Sequence, residues 1–197
     1  LPASILHLQD RGRNGGMTRA AGPVIAGPMN DTASSSAAND ILPEGAIPAA
    51  TLVIMRPTAD GGPDEILMVK RSTNMAFAAG AVVFPGGRVD PDDHVVARQH
   101  APDVDPADGA ARVAALRETL EETGLAVGWP ALGDRDLEDV RRALLSGTLL
   151  SDILASRGDR IALDSFVPFA RWCPNFKEAR TFDTRFYAVA APPHGHE

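Results

Sequence analysis

Three glutamates within five residues are the most chemically informative feature of this chain. They lie in the string Arg117-Glu118-Thr119-Leu120-Glu121-Glu122-Thr123-Gly124-Leu125. On a helix turning ~100° per residue, Glu118, Glu121 and Glu122 share one face, within an arc of about 100°. Val113, Leu116 and Leu120 fall on nearly the opposite side and suit a core. Three like charges at this spacing repel by about a few tenths of a kcal/mol per pair even when exposed. A divalent, oxygen-preferring cation such as Mg²⁺ or Mn²⁺ removes that penalty. The competing reading is a solvated acidic face, the commoner fate of a glutamate-rich helix. Arg117 sits beside the carboxylates and can hold one through charge-assisted hydrogen bonds. Upstream, Pro85-Gly86-Gly87 lacks the side chains that would keep a ligand away from backbone carbonyls and amides.

The flanking sequence predicts elements that can position these groups. Ala50–Met55 is a β-rich apolar run and reads as a buried strand. Gly61-Gly62 marks a turn, and Glu65–Lys70 reads as a second strand that makes a hairpin with the first. Ala81–Phe84 reads as a third short strand, ended by Pro85-Gly86-Gly87. Residues 88–108 carry several Asp and Pro and read as a loop. The acidic helix should run from Ala110 to Thr123, with Asp108 as N-cap and Gly124 just past its end. Asp136–Ser146 and Leu149–Ser156 read as further helices, and Ser165–Cys173 and Thr184–Ala191 as further strands.

Residues 1–48 differ in kind, being rich in Ala, Ser, Gly, Pro and Asn without apolar periodicity. Such a segment buries too little surface to offset its ordering entropy, so disorder or a linker is expected there. The first methionine is Met17, which would place residues 1–16 upstream of a natural start or in vector-derived sequence. One domain is expected over residues 49–197. The net charge of −7 argues against a general nucleic-acid binder, and it would repel a phosphate-rich substrate unless cations intervene. The single cysteine, Cys173, allows no intrachain disulfide and reads as a small buried apolar residue. No apolar run approaches the ~20 residues that span a bilayer, and no secretory leader is evident, so a cytoplasmic protein without membrane partners is expected.

The string from Arg117 to Leu125, with Gly86-Gly87 upstream, resembles the Nudix box: a glycine, then a glutamate, then R-E-U-x-E-E-x-G-U with U apolar. Thr119 stands at the first U position. The resemblance implies an α/β fold, an α/β/α sandwich with a mixed central sheet. It also implies that Glu118, Glu121 and Glu122 bind Mg²⁺ or Mn²⁺, with the Gly86 carbonyl as a further ligand. The gap from Gly87 to Arg117 is much longer than the family's usual spacing. Counting back from Arg117 puts the box's first glutamate at Gly109, so either Asp105 or Asp108 substitutes or the role is dispensable. A long insertion of this kind also occurs in a branch resembling the acyl-coenzyme A diphosphatases. Arg71-Ser72, Gly80 and Phe84-Pro85-Gly86-Gly87 are similar to that branch's signature, but Met75 and Ala76 depart from it.

The resemblance implies a metal-dependent hydrolase that cleaves the diphosphate bond of a nucleoside diphosphate derivative. Coenzyme A or an acyl-coenzyme A would give a phosphopantetheine and 3′,5′-ADP. Glu121 or Glu122 would act as base, Arg117 would orient the carboxylates, and Arg71, Ser72 and Gly87 would contact the substrate. A later carboxylate could replace that base, and Glu197 is a candidate. Arg71 reads equally as a solvated charge at a strand end. The rivals are a Nudix pyrophosphatase for ADP-ribose, dinucleotides or nucleoside triphosphates, and a catalytically silent nucleotide-binding module. Trp172 and Phe186 read as core rather than base-stacking platforms, and His94 and His100 as solvated. The resemblance further implies one more strand and a closing helix after Ala191, so the domain is expected to be C-terminally incomplete.

Overall fold

A computed structural model describes residues 4–7, 45–71, 80–174 and 181–191. The strands are β1 (Ser4–His7), β2 (Ile47–Arg56), β3 (Glu65–Lys70), β4 (Val82–Val83), β5 (Gly86–Arg88), β6 (Val167–Trp172) and β7 (Phe182–Ala190). Between β5 and β6 run four helices: α1 (Pro91–His100), α2 (Pro106–Thr123), α3 (Asp134–Leu145) and α4 (Leu150–Arg157). The class is mixed α/β around a central mixed sheet, as expected.

β2 is the centre of that sheet because its Ala50, Leu52 and Ile54 alternate onto one buried face. It pairs parallel with β7 and antiparallel with β3 and β5, so the main path runs β1-β3-β2-β7-β6. The β2–β3 hairpin forms at the expected place, with Met55 opposite Ile66. Helix α2 lies against β2, β5 and β7; α1 and α3 pack on α2, and α4 packs on α1. Val113, Leu116 and Leu120 of α2 are fully buried with Leu52, Ile54, Tyr187 and Val189. Each such large side chain contributes about 1.5–3 kcal/mol on leaving water. That burial fixes the rotation of α2 about its axis, and so fixes where its carboxylates point.

Several expectations are corrected. Residues 88–108 are not simply a loop, since Pro91–His100 is helical. Its start signals are present: Pro91 at the first helical position, and the Asp93 carboxylate accepting the Asp90 N–H at 2.8 Å. The helix buries little beyond Asp93, Val96 and Ala97, so its apolar period is faint. Helix α2 begins earlier than expected. Asp105, not Asp108, is its N-cap, accepting from the N–H of Ala107 at 3.1 Å and of Asp108 at 2.9 Å. Pro106 follows at the first position. Gly124 ends α2 as expected, in the left-handed region at φ 75°, with its N–H donating to Leu120 O. Near the start of the chain, Ser4–His7 pairs antiparallel with β3.

Candidate active site

The site begins where β5 passes the last turns of α2. Two successive glycines of β5 have no room for a Cβ as the side chains lie. A Cβ on Gly86 would overlap the Ala50 carbonyl oxygen of the neighbouring strand. A Cβ on Gly87 would overlap the Glu118 carboxyl group. The bare Gly87 backbone therefore forms one wall of the space that Glu118 occupies. One residue back, the Gly86 N–H donates to Glu122 Oε2 at 3.2 Å. The sheet and the acidic helix are thus joined through the two groups that the sequence singles out.

Arg117 organises the other side. Its Nε and Nη2 donate to the two oxygens of Asp93, both at 3.0 Å, and Nη2 also donates to Arg88 O at 3.0 Å. Nη1 donates to Glu118 Oε1 at 2.9 Å and to Glu121 Oε1 at 3.3 Å. A planar fork with five N–H groups is the one side chain that can make all these bonds at once. Asp93 is completely buried, so its carboxylate depends on Arg117 for compensation.

The electrostatics follow from burial against charge. Burial raises the Asp93 carboxyl above its ordinary value, with Arg117 pulling the other way. Burial pushes Glu118 up to about 7, Arg117 opposes this, and the neighbouring Glu121 and Glu122 add to it. Burial also raises Glu122, opposed by the Gly86 N–H and the charge of Arg71. Arg117 is burdened by burial but raised on balance, chiefly by Asp93 and then by the two glutamates. Carboxylates crowded in this way are poised to accept a cation.

The donor set suits a hard divalent ion in chemistry: oxygen ligands on one helix face, mutual repulsion, and glycine backbone alongside. Among the described residues, no three His, Cys, Asp or Glu side chains converge on one point as a ready-made metal cage. The carboxylates are turned instead to Arg117 and the Gly86 amide, which stand in for positive charge.

The remaining residues that the sequence singles out fall as follows, with Ser72 and Glu197 outside the described residues. Arg71 follows β3, donates its backbone N–H to Ala81 O at 2.9 Å, and has a buried Nε with no hydrogen-bond partner among the described residues. Asp105 caps α2. Asp108 turns to β7, accepting from Tyr187 Oη at 2.7 Å and Arg185 Nη1 at 3.1 Å, and from Arg112 Nε at 2.7 Å. Neither takes the place of the box's first glutamate. Asp93 braces Arg117, and sequence reasoning missed it because counting back from Arg117 steps over the inserted residues. His94 is exposed on α1, and His100 is half-buried with Nδ1 accepting the Ile161 N–H at 3.3 Å. Trp172 is 57% exposed rather than core, and Phe186 is half-buried in a tilted pair with Phe169. Cys173 is half-buried. An open cavity lined by Asp108, Phe169, Arg171, Arg185 and Phe186 lies towards the other end of α2. Ten residues separate Asp108 from Glu118, or about 15 Å along a helix, so that cavity is no part of the carboxylate face.

The NUDIX domain family model matches residues 46–143. A protein described as a probable nudix hydrolase in Schizosaccharomyces pombe is 33% identical over 105 residues, covering 50% of this chain and 31% of that protein. One described as a putative nudix hydrolase in Caenorhabditis elegans is 30% identical over 137 residues, covering 63% of this chain and 39% of that protein. The chain therefore spans well under half the length of these two relatives. The crystal structure of a NUDIX hydrolase from Alicyclobacillus acidocaldarius superimposes with a TM-score of 0.64 at 31% identity. That match covers 76% of this chain and 72% of the other.

Proposed function

Because this chain belongs to the Nudix hydrolase family, we propose that it is a metal-dependent hydrolase of diphosphate bonds. The observation that carries the reading is the face of Glu118, Glu121 and Glu122, seated against Gly86 and Gly87 and braced by Arg117. Glu118, Glu121 and Glu122, with the Gly86 carbonyl, would hold Mg²⁺ or Mn²⁺. When bound, the metal neutralises phosphate oxygens and lowers the pKa of water. In the overall reaction a water oxygen bonds to one phosphorus and the bridging oxygen leaves on the other phosphate. Glu121 or Glu122 takes the water's proton. Arg117, tied to Asp93, keeps the Glu118 and Glu121 carboxylates in place. Arg71, whose buried Nε lacks a partner among the described residues, would contact a phosphate oxygen, and Gly87 would give the substrate a surface without side chain.

For the substrate we favour coenzyme A or an acyl-coenzyme A. Support comes from the Arg71-Ser72 and Phe84-Pro85-Gly86-Gly87 signature and from the long insertion, which the fold accommodates as α1 and the start of α2. ADP-ribose, dinucleotides and nucleoside triphosphates are the alternatives. The decisive experiment profiles these compounds with Mg²⁺, with Mn²⁺ and with EDTA, identifying products by mass. Glu121→Gln should fold normally yet lose most turnover, since it removes one charge from the cation-binding face. Full activity in EDTA, or in that variant, sinks the metal mechanism. A kcat/KM about tenfold or more in favour of ADP-ribose refutes coenzyme A alone.

A further inference from the structure

We infer that Arg141, on α3 and outside the acidic string, is a positioning residue that holds the last turn of α2 and thereby sets Glu121 and Glu122. The inference rests on the proposed metal role of those carboxylates.

A helix ends with carbonyls that have no intrahelical donor and with a concentration of negative partial charge. Helix α2 aggravates both problems. It places Glu121 and Glu122 in its final turn and has no basic residue there. Nearby groups satisfy only part of the terminus: the Gly124 N–H donates to Leu120 O at 2.9 Å, while Thr123 Oγ1 turns back to Thr119 O at 2.6 Å, inside the helix. The Leu125 N–H turns to Thr123 Oγ1 at 3.1 Å. Arg141 Nε donates to the Glu121 carbonyl at 3.0 Å. A Cβ built on Gly124 would lie 3.8 Å from Arg141 Cδ, so the guanidinium passes over the left-handed residue that ends the helix. Arg141 is itself steadied by Glu138, 3.8 Å away on the same helix, and its side chain is only 22% exposed.

A cation from another element thus supplies what the local sequence of α2 omits. Its bond is to the main chain of Glu121, so Arg141 does not compete with Arg117 for that carboxylate while fixing the Cα from which it projects. The neighbouring Arg142 makes no such contact; it is largely exposed and pairs with Asp139 and Glu138.

The test uses the full chain and Mn²⁺ alone, with no substrate. Mn²⁺ affinity is measured by calorimetry for the wild type, Arg141→Met, Arg141→Lys and the control Arg142→Met. Amide hydrogen exchange over residues 121–125 is followed without metal. We expect Arg141→Met to weaken Mn²⁺ binding about tenfold, the lower end for loss of a group that orients ligands. It should also speed exchange in that turn. Arg141→Lys should recover part of both effects, and Arg142→Met should change neither. If Arg141→Met lowers the thermal midpoint but binds Mn²⁺ like the wild type, Arg141 is merely structural and the inference is overturned. Unchanged exchange in Arg141→Lys and Arg141→Met overturns it as well. Should Arg141→Met fail to fold, a wild-type Mn²⁺ affinity in Arg141→Lys together with wild-type exchange overturns it too. A wild type that binds no Mn²⁺ overturns the metal reading along with it.

Discussion

At the scale of single residues, the site depends on one side chain that is absent and one that is buried. Gly87 lies against the Glu118 carboxyl, the far end of a flexible side chain. In Gly87→Ala we therefore expect the fold to survive while Glu118 is pushed from its place: a thermal midpoint near wild type with turnover down at least about tenfold. Gly86→Ala should behave differently, because its Cβ would meet the Ala50 backbone, which cannot step aside. Side-by-side melting and kinetics separate the two, and equal midpoints in both variants would count against this distinction. Asp93 is the second case. Its loss leaves the Arg117 guanidinium inside the protein without its main partner. Asp93→Asn should lower stability by about 3 kcal/mol in urea unfolding, the usual scale for breaking a buried ion pair. Turnover should fall with it, because Arg117 would shift toward Glu118 and Glu121. A loss under about 1 kcal/mol would mean that Arg117 is held adequately by its remaining acceptors.

At the scale of elements, α2 is clamped at both ends by groups outside itself. Arg141 holds the end that carries Glu121 and Glu122. The other end is tied to β7 through Asp108, which accepts from Tyr187 and Arg185 as well as from Arg112. Arg112 also lies over the Tyr187 ring, 5.3 Å from its centroid. Burial pushes the Asp108 carboxyl up, but the Tyr187 hydroxyl and the two guanidiniums outweigh it and leave its pKa lowered. A carboxyl lowered in the folded state stabilises the fold above its unfolded value, and that stability is lost as pH falls through the folded value. Wild type should therefore exceed Asp108→Asn in stability at pH 6 by about 1.5–3 kcal/mol, the range for hydrogen bonds to a charged group. The gap should narrow below the ordinary aspartate value of 3.8. Urea unfolding at pH 6 and at pH 3 checks this; a gap that widens in acid would show the sign to be wrong.

At the scale of the whole molecule, the net charge of −7 and the crowded carboxylates lead us to expect that divalent cations stabilise the fold. A ligand that binds only the folded state adds about 2.7 kcal/mol at a hundredfold excess over its Kd. Mn²⁺ at that excess should raise the thermal midpoint by several degrees in wild type and by much less in Glu121→Gln. Scanning calorimetry with and without Mn²⁺ provides the measurement. An equal shift in both proteins would assign the effect to diffuse charge screening instead. Among the described residues, no helix is long and apolar enough to cross a membrane.

The sequence by itself determined the local features. Spacing at i, i+3 and i+4 put Glu118, Glu121 and Glu122 on one face, because helical periodicity needs only neighbours along the chain. A β-rich apolar run marked β2, and Gly124 marked the end of α2, for the same reason. Tertiary structure alone decided which distant residues serve those local ones. Asp93 and Arg117 are 24 positions apart, and Arg141 reaches Glu121 O across 20. No pattern along the chain encodes such pairs, because inserted elements alter the count without altering the contact. The role of Asp108 was decided in the same way. As a residue type it suits a helix cap, but Asp105 starts the helix one turn earlier, and folding brings Tyr187 and Arg185 to the carboxylate left over. Trp172 shows the converse: its apolar bulk reads as core, while its place on the outer strand β6 leaves it exposed, since burial depends on what packs against a strand and not on its composition.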